Sequence, residues 1–256
     1  QIKMPLAGCF NLWCALFTSP TCKVYNRNMR VEPHTTGSIV HVTKRGARGL
    51  LIVRDEDERI RFVRELCYLN DTFRDQFWDK ATRNIRLGVR PESWPNKEPL
   101  CNVVAWTLLP NHFHMILREI SVGGIAKFMQ KLCGSMSTYS NLKHKEKGSL
   151  FQGGYRGRTA DLRDDAYLRN LFVYVLVKNV FECHPKGFMY ALNNFEDAFA
   201  WGLAHSYSSL SEFMYATDII CAKDAFSICF ESSKEFKFYA KEVMLHRREE
   251  LKSFEY

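Results

Sequence analysis

His112 and His114, one residue apart within VVAWTLLPNHFHMILRE (Val103 to Glu119), are the residues whose type and spacing point most directly to chemistry. Apolar runs on either side of a Leu-Pro-Asn turn read as the two strands of a hairpin, and side chains alternate faces along a strand. His112 and His114 therefore share one face, and Phe113 takes the other. Two imidazoles on one face can chelate a single divalent ion. The triplet alone is a modest signal, because strand histidines are commonly surface or hydrogen-bonded residues. The flanking apolar runs add weight, since they bury the hairpin, where polar side chains need a reason.

The elements that must position this pair can be read along the chain. SIVHVTKR from Ser38 alternates and is β-branched, so it reads as a first strand, followed by a GARG turn and a short LLIV stretch. Asp55, Glu56 and Asp57 then place negative charge at the start of an amphipathic helix with Ile60, Phe62, Val63, Leu66 and Leu69 on its apolar stripe. Residues 71–100, rich in Trp, Arg and Pro, read as an insertion or long connection. After the hairpin, Ile125, Phe128, Met129, Leu132, Met136 and Tyr139 follow helical spacing over 124–141. GSLFQGGYRGR leads to a short strand at about 158–160.

Asp164 and Asp165 cap a third helix reaching about Phe181, with Tyr174 in its middle. Beyond Pro185 come an aromatic, Ser-rich patch (201–213) and a basic helix expected over about 234–252. Strand, helix, hairpin, helix, strand is the order of a ferredoxin-like α+β sandwich, with the hairpin in the middle of an antiparallel sheet. A helix laid over the open face would bring one more side chain to a metal on the histidines.

Bulk properties narrow the function classes. With 256 residues, 46% of them hydrophobic, the chain can bury a full core, so disorder is not the expected state. Lys and Arg outnumber Asp and Glu by 36 to 28, a net +8 that favours a polyanionic partner. The nine cysteines contain no Cys-x-x-Cys pair, which excludes zinc ribbons and thioredoxin-like chemistry and reads as reduced thiols in a cytoplasmic protein. No run of about 18 apolar residues predicts a membrane span. Residues 4–17 make a poor signal peptide; Met29 is expected to begin the functional chain, with residues 1–30 a weakly ordered extension.

HVTKRGARG, the Asp-rich helix start, LLPNHFHMIL, GSLFQGGYRGR and YVLVKN, in that order from Ser38 to Lys186, resemble the single-tyrosine HUH transposases, including the REP-associated and insertion-sequence TnpA enzymes. The resemblance implies an HUH endonuclease fold over residues 31–190 with a helical extension over 191–256. It also implies that His112 and His114 bind Mg²⁺ or Mn²⁺ and that Tyr174 is the nucleophile. Tyr139, Tyr155 and Tyr167 fit the position less well. Relatives often place Gln or Asn four residues after the tyrosine as a third ligand. Here that position is Lys178, and Asn179 follows it. Either Asn179 reaches the ion through a local distortion, or another group or water replaces it. Lys178 reads either as a cation that binds the scissile phosphate or lowers the tyrosine pKa, or as a solvated helix lysine.

The implied reaction is nicking and strand transfer of single-stranded DNA through a 5′-phosphotyrosine. The expected partner is hairpin-flanked single-stranded DNA, with Lys44, Arg45, Arg48, Arg156 and Arg158 as phosphate contacts and Phe151 and Tyr155 as stacking rings. Related enzymes occur both as monomers and as homodimers that donate the tyrosine helix in trans. Two alternatives belong to other classes: a non-cleaving DNA-hairpin-binding protein derived from a transposase, and a zinc hydrolase with further ligands around the pair.

Overall fold

Four strands form one antiparallel sheet: β1 (Ile39–Arg45), β2 (Cys101–Leu109), β3 (His112–Glu119) and β4 (Arg156–Ala160). The computed structural model describes residues 34–161, 163–215, 217, 219–222 and 226–255. The chain divides into two units, Gln1–Arg30 and Val31–Tyr256. The weak order expected of residues 1–30 falls outside the described residues, and the helices after residue 190 belong to the same unit as the sheet.

The strand order is β2-β3-β1-β4. Helix α1 (Glu56–Tyr68) connects β1 to β2 around β3, and α3 (Gly124–His144) connects β3 to β4 around β1. Both crossovers therefore join parallel strands with an antiparallel strand between them, the split β-α-β arrangement that the element order predicts. One expectation is corrected. Only β3 of the hairpin lies inside the sheet, and β2 forms an edge. Downstream chain covers that edge: Ser208 bridges Thr107, and the Leu108 N–H donates to the Tyr207 carbonyl at 2.9 Å. An edge satisfied in this way is no template for foreign strands.

The LLIV stretch is not a strand. Ile52 and Val53 are buried, and their N–H groups both donate to the Pro110 carbonyl, at 2.8 and 3.3 Å. They fasten the Pro110–Asn111 turn that launches β3. Gly46, immediately after β1, makes the required close approach, since a Cβ there would lie 2.0 Å from the Leu50 carbonyl oxygen.

Alternation along β1 and β3 divides the side chains between two cores. Val40, Val42, Phe113, Met115 and Leu117 pack against α1 and α3 through Phe62, Leu66, Phe128 and Leu132. Ile39, Ala105, Ile116 and Ala160 face the opposite layer. There, α4 (Asp165–Val173), a π-helical turn (Tyr174–Lys178) and α5 (Asn179–Glu182) form one continuous helix. As expected, Asp164 caps it, accepting from the Tyr167 N–H at 2.9 Å.

Residues 71–100 are a packed segment containing α2 (Trp78–Thr82), seated on Cys67 and Tyr68. After α5 come α6 (Phe188–Asn193), α7 (Phe195–Ala204), α8 (Leu210–Tyr215), α9 (Phe226–Cys229) and α10 (Ser233–His246). The helix expected to reach about residue 252 ends at His246, and a 3-10 turn runs on from Arg248 to Phe254. Arg169 on α4 holds this layer. Its guanidinium bonds Glu235 at 2.5 Å and lies over the rings of Phe230 and Tyr239. Among the described residues no helix is long and apolar enough to cross a membrane.

Glu65 ties α1 to α3 and gives the fold a pH dependence. It is fully buried, accepts from Ser135 Oγ at 2.6 Å and Arg61 Nε at 2.9 Å, and burial pushes its pKa up to about 8. Below pH 4.5 both folded and unfolded chains hold this proton. As pH rises from 4.5 to 8 the unfolded chain releases it and the folded chain does not, so stability falls. Urea unfolding is expected to show a loss on the order of 1–3 kcal/mol from pH 5 to 8. Glu65→Gln should flatten that part of the profile, and an unchanged slope would show that Glu65 is ionised in the native state.

Candidate active site

Register places the polar side chains of three strands side by side. Thr43 and Thr107 both lie opposite His114, Arg45 opposite His112, and His41 opposite Ile116 and Arg158. The result is a polar seam, His41, Thr43, Thr107, His112 and His114, across the face that receives the α4–α5 helix. His114 is 2% exposed and His41 fully buried.

Hydrogen bonds orient the imidazoles. His114 Nδ1 lies 3.0 Å from His41 Nε2 and 3.1 Å from Thr43 Oγ1, and the two rings stack at 5.2 Å. His112 Nδ1 is 2.6 Å from Asn111 Oδ1, an acceptor, so it carries the proton and leaves the Nε2 lone pair available. If His114 Nδ1–H donates to His41, its Nε2 is freed in the same way. An outer partner that fixes the tautomer is the usual support of a metal-binding histidine.

All three rings are neutral at neutral pH. Burial lowers His41 to about 3 and His112 to about 4, and holds His114 well below its ordinary range. Arg45 and Lys178 add repulsion that lowers His112 and His114 further.

Tyr174 meets this seam from the helix. Its ring stands edge-on to His114 at 5.1 Å and to His41 at 5.8 Å, and the residue is 3% exposed. The other candidate tyrosines lie elsewhere. Tyr139 is on α3, on the far side of the sheet, with Arg61 4.2 Å above its ring. Tyr155 packs in the far-side core, and Tyr167 packs on Phe254.

The helix is distorted where the site needs it. Thr107 Oγ1 donates to the Val175 carbonyl at 2.5 Å, and the Asn179 N–H reaches back five residues to the Tyr174 carbonyl. A side chain bonding into the helical ladder is a recognised cause of such widening. In a regular α-helix, Asn179 would sit well round the helix from Tyr174; the wider turn brings it closer to the same side. Asn179 is fully buried, and neither atom of its side-chain amide has a hydrogen-bond partner. The orphaned buried amide of Asn179 and the Nε2 lone pair of His112 are the donor types that a cation site needs.

Lys178 is not the solvated lysine that was one of its readings. It is buried, pairs with Glu182 at 2.9 Å and Glu255 at 3.2 Å, and its Nζ lies 4.9 Å from the centre of the Tyr174 ring. Among the expected phosphate contacts, Lys44 is corrected outright. It is buried on the opposite face, and its ammonium donates to the carbonyls of Gln152 and Gly153. Arg45, Arg156 and Arg158 share the face of the seam, Arg158 donating to the Ser253 carbonyl at 3.2 Å. Arg48 sits exposed in the turn after β1. Phe151 is buried in the far-side core.

Several participants were not singled out from sequence. His41, Thr43 and Thr107 depend on strand register, which a single sequence does not reveal. Phe254 and Glu255 close the site from the far end of the chain, Phe254 lying 5.4 Å from the Tyr174 ring and 6.2 Å from His41. Among the described residues, three His, Cys, Asp or Glu donors converge within 4.8 Å at Asp55, Glu58 and His144, a triad able to hold a metal ion. Its groups are already engaged. Asp55 caps the Glu58 N–H and takes Lys143 Nζ at 2.8 Å, while His144 Nε2 lies 2.7 Å from Glu58 Oε1.

The depressed imidazoles predict an acid limit. Their folded pKa values lie below the unfolded value of 6.5, so the stability they contribute is complete above that value and drains away as pH falls toward 4 and 3. NMR of the metal-free protein should show the His41, His112 and His114 ring signals unmoved from pH 8 to 5. Titration of any of them near 6.5 would mean that the seam is open to water. No protein-family model, curated protein or solved structure matches this chain.

Proposed function

We propose that the chain is a metal-dependent single-stranded DNA nickase and strand transferase of the single-tyrosine HUH type. The observation that carries this reading is the meeting of Tyr174 with His114 at 5.1 Å, from different elements, on one face of the split β-α-β sheet. The sequence blocks that resemble the HUH transposases fall on β1, the β2–β3 hairpin, the approach to β4 and the tyrosine helix, which supports the same assignment.

A Mg²⁺ or Mn²⁺ ion on His112, His114 and Asn179 would neutralise charge on the non-bridging phosphate oxygens. Everything else falls to the side chains. The Tyr174 oxygen attacks phosphorus, the bond to O3′ breaks, and the 3′-oxygen leaves as a hydroxyl after taking up a proton. The phenol proton needs an acceptor; with His114 bound to the ion and to His41, a water would take it and return a proton to the leaving 3′-oxygen. The Lys178 ammonium favours the phenolate, with Glu182 and Glu255 offsetting part of its charge. Reversal onto another 3′-hydroxyl restores a phosphodiester, so no nucleotide is consumed. Arg45, Arg156 and Arg158 line the route for the DNA backbone.

The test is a denaturing gel. Full-length protein, labelled single-stranded DNA bearing a flanking hairpin, and Mn²⁺ should give a covalent adduct that Tyr174→Phe abolishes. An adduct that survives in Tyr174→Phe sinks the nucleophile assignment. Losing a proposed metal ligand in His114→Ala should slow the reaction by roughly a hundredfold. Because Phe254 covers Tyr174, DNA must displace it, and Phe254→Ala should form adduct faster than the parent.

A second reading, a DNA-hairpin-binding protein that does not cleave, is favoured by the burial of Tyr174 under Phe254 and by the cation at position 178. It predicts salt-sensitive binding with no adduct, even with the metal present and the site intact.

A further inference from the structure

Across the sheet from Tyr174, the segment between α1 and β2 folds against α3 and leaves a groove of about 840 Å³. Its size falls within the range of small-ligand sites, about 300–1,000 Å³. Phe73, Trp78 and Trp94 line one side, and Tyr139 lines the α3 side. Arg74, Lys127 and Lys131 add cations, against Asp75 as the one carboxylate among the described lining residues. Asp75 is already engaged, accepting from Trp94 Nε1 at 3.1 Å and from the Phe77 N–H at 2.7 Å. Lys131 is held in place by the carbonyls of Asp71 and Phe73, at 2.5 and 3.2 Å.

The floor is open by sequence choice. Gly134 stands exposed in α3, and a Cβ built there meets no atom within 4 Å. Glycine weakens a helix interior, and no crowding requires it here. The groove follows α3 from Lys127 to Leu142, about 22 Å at 1.5 Å per residue. Arg61 lies over the Trp78 and Tyr139 rings and Arg90 over Phe73 and Trp94. Cation-backed rings, further cations and no uncommitted acid among the described lining residues complement unpaired bases on a phosphate backbone. An acidic peptide would satisfy the cations and leave the aromatic faces unused.

We infer that this groove binds a single-stranded DNA segment, a second contact for the substrate handled at the sheet face. DNA as the ligand rests on the proposed nicking function; the groove stands on its own residues.

Full-length protein carrying Tyr174→Phe and a fluorescent oligothymidylate, followed by anisotropy over a range of salt, provides the test. Gly134→Glu fills the groove and should weaken binding at least about fivefold, the low end for removal of one stacked base. Its melting temperature should stay at or above that of the parent. Arg74→Ser with Lys127→Ser should lower the slope of log affinity against log salt by about 1.4, because two phosphates of a single strand are then no longer neutralised. Unchanged affinity in Gly134→Glu together with an unchanged slope in the double variant overturns the inference, as does preferential binding of an acidic peptide. Adduct formation by the parent is scored separately. Adduct without groove dependence defeats this inference alone, and groove dependence without adduct defeats the nicking reading alone.

Discussion

The structure depends on covering a polar seam in the middle of a sheet. His41, Thr43, Thr107 and His114 are all buried, on the face that also carries Ile39, Ala105 and Ile116. Burying unpaired polar groups is expensive, and burying two charged imidazoles side by side would be prohibitive. The seam is therefore self-satisfying and neutral: histidine bonds histidine, threonine bonds histidine, and the remaining threonine reaches up to the helix. The same economy that permits burial sets the His41 and His114 rings edge-on to Tyr174.

That upward bond links the sheet to the chemistry. Thr107 takes the Val175 carbonyl within the turn that widens between Tyr174 and Asn179. A regular helix would keep its own ladder and turn Asn179 away from Tyr174. Here one strand side chain compensates the ladder, and the phase of the helix shifts. The wider turn thus brings Asn179 toward the Tyr174 side of the helix. Lys178 lies between Glu182 and Glu255, with its ammonium 4.9 Å from the centre of the Tyr174 ring.

What was legible in the sequence follows from range. The alternation of SIVHVTKR, the Asp55 and Asp164 caps, and the helical spacing of Phe128, Leu132 and Met136 are local signals, and they gave the correct order of elements. His112, His114 and Tyr174 were singled out because each stands in a recognisable block, and the fold brings Tyr174 to His114. His41 belongs to the same strand block but has meaning only through its register with β3. Lys44 was misplaced because a basic residue beside Arg45 looks like a surface charge, yet alternation sends it to the opposite face, where the carbonyls after Phe151 receive it. Phe254 and Glu255 were illegible, since nothing local links the end of the chain to a helix 80 residues earlier.

Stability and access conflict at this site. With Tyr174, His114 and His41 all within 3% exposure, the seam is well packed but closed to a phosphodiester. The covering piece is the least regular of the layer. It is a 3-10 turn held by Leu251, Phe254, the Glu250 bond to Asn170 and the Glu255 bond to Lys178. Two of those four attachments are exchangeable polar contacts, whereas α10 is anchored by Phe236, Ala240 and Val243 in the core. Local opening is easiest where few apolar groups are buried, so the turn can lift while α10 stays in place. Under the proposed function, a DNA phosphate approaching Lys178 would compete with Glu255 for its cation and so favour opening. On the proposed reading, the closed seam is the resting form of a site whose histidines must stay neutral until DNA arrives.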